Sequence, residues 1–443
     1  MTAHEFATAP LLGRIADRSF RIGIVGLGYV GLPLMRAATR AGFRVLGFDI
    51  DRPKVEGLNE GRSPLTHIPD ATIRQVRAAG LFEATAELAR LGEADAVLVC
   101  VPTPLDRHRE PDLSYVVNTV EGLAPVLRPG ALLVLESTTY PGTTRDVVLP
   151  LLRAAGRQPG RDVLVAYSPE REDPGNAAFE TASIPKVVGA DDDAARAVAT
   201  ALYAAFVEKV VPVSSAAVAE AVKITENVFR SVNIALVNEL KQIYAAMGID
   251  VWEVIEAAKT KPFGYMPFYP GPGLGGHCIP IDPFYLTWKA REYGFATRFI
   301  ELAGEVNTAM PAYVVHRLAL ELDRRRGLGL RGRRILVLGV AYKRDINDTR
   351  ESPALEIMEL LQHRGAEVAY HDPLVPEILP TRQHPGLQGL RSVPLDAATL
   401  AGFDAALVVT DHRAVDYALL AEACPLVVDT RNAVPRGPGV AQA

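Results

Sequence analysis

The stretch Arg21-Ile-Gly-Ile-Val-Gly-Leu-Gly-Tyr-Val-Gly31 decides the fold of the first part of this chain. Its apolar run, Ile22–Val25, has the length and composition of a buried strand. Three glycines then follow at the spacing Gly-x-Gly-x-x-Gly, and a stretch of helical character begins after them. This order predicts a strand, a tight turn and a helix, which together form the start of a βαβ unit.

Each glycine of this turn has its own task in a dinucleotide site. Gly26 permits the tight turn, Gly28 lets the backbone approach a pyrophosphate, and Gly31 lets the helix pack on the strand. The N-terminus of the helix then faces the phosphate charge. Tyr29 and Val30 lie within the same turn and are expected to contact the cofactor. A glycine-rich turn in another kind of α/β protein is the alternative.

The next strand indicates which dinucleotide binds. Asp49 ends the second apolar run at the distance expected for a ribose-binding carboxylate. Such a carboxylate accepts hydrogen bonds from both ribose hydroxyls and repels a 2′-phosphate, so NAD is favoured over NADP. Thr103, in the run Cys100-Val-Pro-Thr-Pro104, is a further candidate for cofactor contact. Spacing alone is equally consistent with a proline-rich strand exit there.

Short apolar runs alternate with helical stretches through the first half of the chain, which predicts a parallel sheet covered by helices. The strands are expected at Arg21–Gly26, Arg44–Asp49, Ala96–Val101, Ala131–Glu136 and Asp162–Tyr167. A second alternation follows near the C-terminus, with strands expected at Ile335–Val340, Glu367–Tyr370, Ala405–Val409 and Leu426–Asp429. The proline- and glycine-rich tail after Asn432 is expected to fray.

Between these two regions the pattern is helical. From Ala216 to about Lys259 it contains no proline and only one glycine, Gly248, which predicts one or two long helices. The chain is therefore predicted to be an α/β protein with two Rossmann-like parallel-sheet domains joined by long central helices. The expected divisions are residues 1–213, 214–324 and 325–443.

Composition excludes several classes of function. The chain has 443 residues and a formal net charge of -5, which gives no basic surface for nucleic acid. No apolar run reaches the roughly 18 residues of a membrane span, and the N-terminal residues lack the apolar core of a signal peptide. Three cysteines form no disulfide framework. A reducing cytoplasm is the expected location.

One of the cysteines has the setting of a nucleophile. Cys278 lies in Gly271-Pro-Gly-Leu-Gly-Gly-His-Cys-Ile-Pro-Ile-Asp282, where paired glycines precede it closely. A thiol beside a hydride acceptor suggests oxidation of an aldehyde through a covalent thiohemiacetal and thioester. A buried structural thiol is the alternative. His277 and Cys278 are adjacent and lack the spacing of a metal site, so no metal is expected.

Several motifs together resemble one enzyme family. In order along the chain they are Gly26–Pro33, Glu136–Thr143, Ser168–Arg171, Lys223 with Asn227, Gly275–Asp282, Lys343 and Asp348–Ser352. This set resembles the UDP-glucose/GDP-mannose dehydrogenase family of nucleotide-sugar 6-dehydrogenases, over roughly residues 20 to 432. The resemblance implies oxidation of a sugar 6-hydroxymethyl group to a carboxylate with two NAD and no release of aldehyde.

Two positions of the cysteine motif bear on the sugar. Members of the family that act on UDP-glucose or GDP-mannose usually have other residues where this chain has His277 and Ile281. The resemblance therefore favours UDP-N-acetylglucosamine. UDP-N-acetylmannosamine, UDP-N-acetylgalactosamine and UDP-glucose remain alternatives.

For the first oxidation the resemblance implies three residues. Lys223 would stabilise the developing oxyanion, and Asn227, four residues later on one helix face, would hydrogen-bond the same oxygen. Asp282 would order a water molecule or Lys223 and help to accept the proton. Taken alone, a helical lysine more often lies on a solvated face, and an aspartate between Ile281 and Pro283 also suits a turn.

For the second oxidation the resemblance assigns the covalent role to Cys278. Glu170 matches the family residue that acts as the base for thioester hydrolysis, and Thr138 matches one that holds the catalytic water and lies near the cofactor. Arg171 is a candidate substrate ligand. From spacing alone, Glu170 equally suits a helix N-terminus.

The nucleotide half of the substrate needs contacts to phosphate. Arg350 and Lys343 follow the first strand of the C-terminal region and are expected to bind the substrate, with Lys343 also near the cofactor. Gly275 and Gly276 would offer backbone N–H groups to the UDP portion, and His277 would contact the substrate or the loop. A homodimer is expected from the resemblance and the long apolar helix.

Overall fold

The structure is a computed structural model that describes residues 3–65, 68–106, 110–172, 181–276, 279–381 and 383–443. The chain divides into two compact units. The first comprises the chain up to Glu226 together with Trp288–Gly294, and the second comprises Asn227–Thr287 and Phe295–Ala443. The described part of the chain contains no helix that is both long and apolar enough to cross a membrane.

The first unit is built on one sheet with the strand order β3-β2-β1-β4-β5-β6-β7-β8 among the described residues. Its strands are β1 (Arg21–Val25), β2 (Arg44–Phe48), β3 (Phe82–Thr85), β4 (Ala96–Val99), β5 (Ala131–Leu135), β6 (Val163–Tyr167), β7 (Lys186–Gly189) and β8 (Val210–Val213). Its helices are α1 (Ala3–Ala16), α2 (Gly31–Arg40), α3 (Arg52–Asn59), α4 (Asp70–Ala78), α5 (Ser114–Leu123), α6 (Leu149–Ala154) and α7 (Asp193–Ala204).

Two apolar layers hold this sheet between its helices. Alternate residues of one strand point to opposite faces, so Ile22 and Ile24 of β1 join one cluster while Val25 joins the other. The first cluster packs against α2 and α7, and the second packs against α5 and α6. Burial on both faces explains why these strands are continuous apolar runs in the sequence.

The sheet confirms the predicted parallel α/β class and adds detail to it. All five predicted strands are present, with ends that differ by one or two residues. The prediction did not include β3, β7 and β8, which are short and, in β8, only partly buried. One pair differs from the parallel expectation, because β6 and β7 are antiparallel where Tyr167 faces Gly189.

The central region is helical, as predicted. Helix α8 (Ala216–Met247) is followed by α9 (Val251–Ala258), and the break between them falls at Gly248. Gly248 has a φ of 72°, the left-handed conformation that commonly ends a helix. Helix α8 contributes its part up to Glu226 to the first unit and the remainder to the second.

The second unit contains a parallel sheet with the order β10-β9-β11-β12-β13. Its strands are β9 (Arg334–Leu338), β10 (Glu367–His371), β11 (Ala405–Val408), β12 (Val427–Asp429) and β13 (Val440–Gln442). Its further helices are α10 (Asp282–Glu292, which extends into the first unit), α11 (Arg298–Arg326), α12 (Pro353–His363), α13 (Ala397–Ala401) and α14 (Tyr417–Ala423).

The expectation that the tail frays after Asn432 is wrong. Strand β13 pairs in parallel with β12, and Ala441 and Ala443 are buried. The edge of the sheet supplies hydrogen-bond partners and apolar cover that no local pattern in the tail encodes. The division into three domains stays a prediction.

Both sheets begin with the same local design. Gly26 follows β1 with a φ of 92°, and Gly339 follows β9 with a φ of 80°. A Cβ at either glycine would lie 2.5 Å or less from a neighbouring carbonyl oxygen. Each second strand is followed by a buried aspartate, Asp49 or Asp372. The two aspartates have different hydrogen-bond partners, so the two sheets differ in their capacity to bind a ligand at this position.

Candidate active site

The glycine turn after β1 has the geometry that a pyrophosphate needs. A Cβ at Gly26 would lie 2.5 Å from the Cys100 carbonyl oxygen, and a Cβ at Gly31 would lie 2.0 Å from the Gly26 carbonyl oxygen. These two glycines are therefore required by the fold itself. A Cβ at Gly28 would meet no atom within 4 Å. The open space at Gly28 suits close approach by a ligand.

Asp49 lies buried at the end of β2 and binds the turn. Its Oδ2 accepts a hydrogen bond from the backbone N–H of Leu27 at 3.0 Å and one from the Lys54 ammonium at 2.8 Å. Lys54 lies on α3 and was not predicted as part of the site. Its charge neutralises that of Asp49. The backbone N–H of Asp51 donates a 3.0 Å hydrogen bond to Oδ1, which leaves Oδ1 capacity for one further hydrogen bond, from a ribose hydroxyl.

In the second sheet the corresponding aspartate is already occupied by protein groups. Asp372 Oδ2 accepts hydrogen bonds from the backbone N–H groups of Val340 and Ala341, and the His412 ring nitrogen Nε2 lies 3.1 Å from it. Burial raises the pKa of Asp372, but His412 and the backbone N–H groups of Leu374 and Ala341 together outweigh burial, and the pKa is lowered. Asp372 Oδ1 also accepts hydrogen bonds from the backbone N–H groups of Leu374 and Val375, at 2.8 and 3.1 Å, so both of its oxygens are occupied, whereas Asp49 Oδ1 accepts one hydrogen bond among the described residues.

The carboxyl ends of β4, β5 and β6 carry the next group of predicted residues. Thr103 follows β4, and its hydroxyl donates a 2.7 Å hydrogen bond to the carbonyl oxygen of Thr138, which follows β5. Ligands of open parallel sheets bind at this edge. The structure thus brings Thr103 and Thr138 together where the cofactor prediction needs them.

Glu170 follows β6 at the same edge and is fixed by several bonds. Its Oε1 accepts hydrogen bonds from the backbone N–H groups of Arg171 and Glu172, at 2.7 and 2.6 Å. Its Oε2 lies 3.2 Å from the Lys186 ammonium. Its side chain is 12% exposed, so water can reach it. Burial raises the pKa of Glu170, but Lys186 and the backbone N–H groups outweigh burial and hold the pKa below its ordinary value.

Lys186 connects Glu170 to a second buried carboxylate. The Lys186 ammonium lies 2.6 Å from Glu136 Oε2, and the Tyr203 hydroxyl donates a hydrogen bond to Glu136 Oε1. Burial raises the pKa of Glu136 to about 7, even though Lys186 opposes the shift. Sequence reasoning missed this network. The available signal was a lysine inside the apolar run Pro185-Lys-Val-Val-Gly189, where a charge is unusual.

Lys223 and Asn227 lie one turn apart on α8, as predicted. Lys223 is buried, and its ammonium donates a 2.6 Å hydrogen bond to the backbone carbonyl of Glu170. Asn227 is fully buried in the second unit, where its Nδ2 donates to Asp282 Oδ2 and its Oδ1 accepts from Arg230. Neither lysine nor amide lies on a solvated helix face.

Asp282 begins α10 and contacts Asn227.

Arg171 is held within the first unit, because its guanidinium donates to both oxygens of Glu226 and to the backbone carbonyl of Pro185. The role of Arg171 in substrate binding stays a prediction.

Within the second unit, the glycine loop (residues 271–276) packs against the segment that follows β9 (residues 342–351). The backbone N–H of Gly276 donates a 3.1 Å hydrogen bond to the carbonyl oxygen of Arg350. A Cβ at Gly275 would lie 2.6 Å from Tyr342 Cβ, so only glycine allows this approach. The structure thus brings Gly275, Gly276 and Arg350 together, and Lys343 follows Tyr342 directly.

A partly buried arginine lies close to the start of this loop, at Gly271, and a buried lysine lies near that arginine. A Cβ at Gly271 would lie 2.8 Å from Arg431 Nη1. Lys241 is buried on α8, and among the described residues its ammonium has no hydrogen-bond partner. Burial and the charge of Arg431 lower the pKa of Lys241 to about 7. Sequence reasoning assigned neither residue, because each depends on contacts between distant segments.

His277 and Cys278 lie outside the described residues, so their predicted roles rest on the sequence. Among the described residues there is no cluster of three or more histidine, cysteine, aspartate or glutamate side chains that could hold a metal ion. The residues that are described fit NAD at the first sheet, since Gly28 leaves space and Asp49 keeps acceptor capacity beside it.

Three domains of the UDP-glucose/GDP-mannose dehydrogenase family match the chain in succession. The NAD binding domain matches residues 20–207, the central domain matches residues 217–309, and the UDP binding domain matches residues 336–436. The match to the NAD binding domain covers the whole glycine turn, Asp49 and Glu170. NAD is the cofactor of this chain.

Individual proteins show the same similarity. The chain is 36% identical to UDP-N-acetyl-D-glucosamine 6-dehydrogenase of Pseudomonas aeruginosa over 362 residues, which cover 81% of this chain and 84% of the relative. It is 35% identical to NDP-N-acetyl-D-galactosaminuronic acid dehydrogenase of Ralstonia nicotianae, covering 95% and 98%. The solved UDP-D-ManNAc dehydrogenase of Pyrococcus horikoshii superposes with a TM-score of 0.84 at 32% identity, covering 96% and 98%.

The glycine geometry predicts opposite results at two positions of the turn. Gly28→Ala should leave stability within about 0.5 kcal/mol of the wild type, because its Cβ meets no protein atom. It should weaken NAD binding by about tenfold or more, because the methyl group occupies the ligand's space. Thermal unfolding and a fluorescence titration with NADH measure the two effects.

Gly31→Ala is the matched comparison, and it should lower stability by about 1–3 kcal/mol because its Cβ overlaps the Gly26 carbonyl oxygen. Wild-type NADH affinity in Gly28→Ala would contradict the assignment of this turn to the cofactor.

Proposed function

Since the chain belongs to the UDP-glucose/GDP-mannose dehydrogenase family, we propose that it oxidises the 6-hydroxymethyl group of UDP-N-acetylglucosamine to a carboxylate. The oxidation removes four electrons and uses two NAD. One observation carries the proposal: an ionised glutamate, Glu170, lies at the cofactor edge of the sheet with a lysine ammonium on its backbone carbonyl. A dehydrogenase that stops at the aldehyde has no use for such a hydrolytic base.

The first oxidation requires loss of the 6-hydroxyl proton and of a hydride from C6. NAD supplies the hydride acceptor when it is bound. Lys223 stabilises the negative charge that develops on the oxygen, and Asn227 donates a hydrogen bond to the same oxygen. The buried positions of these side chains on α8 support these roles, because their charges and dipoles act where water is excluded. Asp282 orients Asn227 through their hydrogen bond and, with an ordered water molecule, accepts the proton of the 6-hydroxyl group.

The second oxidation requires a covalent intermediate, because an aldehyde in the site has no hydroxyl to deprotonate until a nucleophile adds to it. The Cys278 thiolate adds to the aldehyde carbon and forms a thiohemiacetal. Addition of the thiolate leaves the aldehyde oxygen as an alkoxide. That oxygen re-forms the carbonyl as the carbon loses its remaining hydride to a second NAD, and a thioester results. The thiolate is a small fraction of a free cysteine at neutral pH, and nearby positive charge increases that fraction.

Hydrolysis of the thioester completes the reaction. Glu170 removes a proton from a water molecule, the resulting hydroxide attacks the acyl carbon, and the Cys278 thiolate leaves. The backbone N–H groups on Glu170 Oε1 leave the other oxygen for proton transfer beside Lys186. Thr138, at the adjacent strand end, is the proposed ligand of that water.

The UDP portion of the substrate binds in the second unit. The match to the UDP binding domain supports a UDP-sugar as the substrate. We assign the phosphate contacts to Lys343 and Arg350 and to backbone N–H groups of the glycine loop at Gly275 and Gly276. Support comes from the packing of that loop on the segment that carries Lys343 and Arg350.

The choice of sugar rests on comparison and on the sequence of the cysteine motif. A relative with 36% identity is named for UDP-N-acetyl-D-glucosamine. Relatives with 32–35% identity are named for UDP-N-acetyl-D-mannosamine, and one with 35% is named for an N-acetyl-D-galactosaminuronic acid. UDP-N-acetylmannosamine is therefore the strongest alternative. All of these names share the N-acetyl group that His277 and Ile281 favour.

We further propose that the chain forms a homodimer through α8. Phe229, Leu236 and Ile243 are about half exposed and lie seven residues apart, so they form one stripe along the helix. The stripe is symmetric about Leu236, which suits antiparallel pairing with the same stripe of a second copy. The cytoplasm stays the predicted location.

Counting NADH for each sugar nucleotide tests the proposed reaction. UDP-N-acetylglucosamine should yield two NADH for each molecule consumed and should react faster than UDP-N-acetylmannosamine, UDP-N-acetylgalactosamine, UDP-glucose or GDP-mannose. Absorbance at saturating NAD measures the ratio. One NADH for each sugar would exclude the four-electron reaction.

Cys278→Ser should bind the sugar nucleotide but lose nearly all carboxylate formation, because serine is a weaker nucleophile and a poorer leaving group. Undiminished acid formation by this variant would exclude the covalent route.

Leu236→Lys should convert the dimer into a monomer, because it places a charge at the centre of the apolar stripe. Sedimentation velocity measures the change. Ala245→Lys, an exposed position on the opposite face of α8 from Leu236, is the control and should remain dimeric. A monomeric wild type would overturn the assignment.

A further inference from the structure

We propose that Lys186 and Glu136 are positioning residues that keep Glu170 ionised and correctly oriented for thioester hydrolysis. The proposal rests on the assignment of Glu170 as the hydrolytic base. Neither Lys186 nor Glu136 touches the reacting atoms in this account. Both side chains are buried at the ends of strands, and they act by positioning Glu170.

The geometry of the Lys186 ammonium is the first support. It lies 2.6 Å from Glu136 Oε2 and 3.2 Å from Glu170 Oε2, so one buried cation serves two carboxylates. The Tyr203 hydroxyl binds the other oxygen of Glu136. Glu136 is therefore fixed at both oxygens, and it holds the ammonium at a defined distance from Glu170.

The balance of charge is the second support. The Lys186 ammonium contacts the carboxylates of Glu136 and Glu170, and the Lys223 ammonium contacts the backbone carbonyl of Glu170. Two carboxylates are therefore matched by two ammonium groups. Loss of Lys186 would leave two buried carboxylates with one nearby cation. Burial would then favour protonation of Glu170, and a protonated carboxyl cannot accept a proton from water.

Competition between the two carboxylates gives the pair a distinctive property. The negative charge of Glu136 attracts the ammonium and weakens its effect on Glu170. Neutral glutamine at residue 136 would release the ammonium toward Glu170. Removal of the cation and removal of the second carboxylate should therefore change the acidity of Glu170 in opposite directions.

Other ionisable groups face this network from each neighbouring element. Cys100 after β4 and Tyr203 on α7 border Glu136, and burial raises the pKa of both groups. Glu172 borders Glu170, and burial raises the pKa of Glu172 to about 7. Lys223 contacts Glu170 from α8. Glu136 and Glu172 both have pKa values of about 7, and the cations Lys186 and Lys223 lower the pKa of Glu170.

The test is the pH dependence of steady-state NADH formation in Lys186→Met and Glu136→Gln. Glu170 must be deprotonated to act, so the rate rises with pH through its pKa. Lys186→Met should move this acidic limb to higher pH by about one to three units, and Glu136→Gln should move it to lower pH. At neutral pH Lys186→Met should slow turnover by about tenfold or more while a rapid burst of NADH remains.

Controls separate a structural effect from the proposed one. Lys289→Met removes another buried lysine that pairs with carboxylates, and it should leave the limb unchanged. If Lys186→Met unfolds, the double variant Glu136→Gln/Lys186→Met removes both buried charges and should show an upward shift that is smaller than the one expected for Lys186→Met, because the loss of Glu136 offsets part of it. If the double variant also unfolds, the direction in which Glu136→Gln moves the acidic limb of the pH profile decides whether the proposal holds.

Two outcomes are distinguishable. A wild type that forms two NADH for each sugar, with limbs in both variants that stay fixed or move in one direction, would overturn this inference alone. A wild type that forms no NADH with any sugar nucleotide would overturn the proposed function, and the inference with it.

Discussion

One ammonium group, that of Lys186, lies between two carboxylates in the interior of the first sheet. Buried charges are tolerated only when each has a partner, so the positions of Glu136, Lys186 and Glu170 are tied to one another. Glu136 directly follows β5, Glu170 follows β6 and Lys186 begins β7. The network therefore links β5, β6 and β7, which are neighbours in the sheet, at the edge of the sheet where the cofactor is expected to bind. The position and the negative charge of Glu170, the candidate base, depend on this network.

The same α/β design serves different purposes in the two units. In the first, Asp49 keeps acceptor capacity beside an open position at Gly28, which suits a dinucleotide. In the second, Asp372 is occupied by four backbone N–H groups and His412, so that aspartate stabilises its own turn. The ligand-facing part of the second unit is instead the glycine loop on the segment after β9. A shared fold thus carries distinct sites because a few polar contacts differ.

Local patterns in the sequence were sufficient for much of the fold. Buried parallel strands are apolar runs, the turn after β1 needs its glycines, and the region that begins at Ala216 is helical. The pairing of Lys223 with Asn227 follows from helical spacing. Contacts between distant segments could not be predicted in this way. Lys186 and Glu136 are 50 residues apart, and β13 exists because β12 offers an edge. Lys241 depends equally on distant neighbours, since only tertiary burial lowers its pKa.

The central claim is that a covalent acyl intermediate forms and that Glu170 promotes its hydrolysis. The most direct measurement is rapid mixing of Glu170→Gln with UDP-N-acetylglucosamine and NAD, followed by intact mass analysis. Glutamine cannot accept the proton, so the account predicts a burst of two NADH for each site and a chain heavier by the acyl group. Subsequent turnover should be slower than in the wild type by about 10²–10⁴-fold. Turnover at the wild-type rate, or a burst without any covalent adduct, would contradict the account.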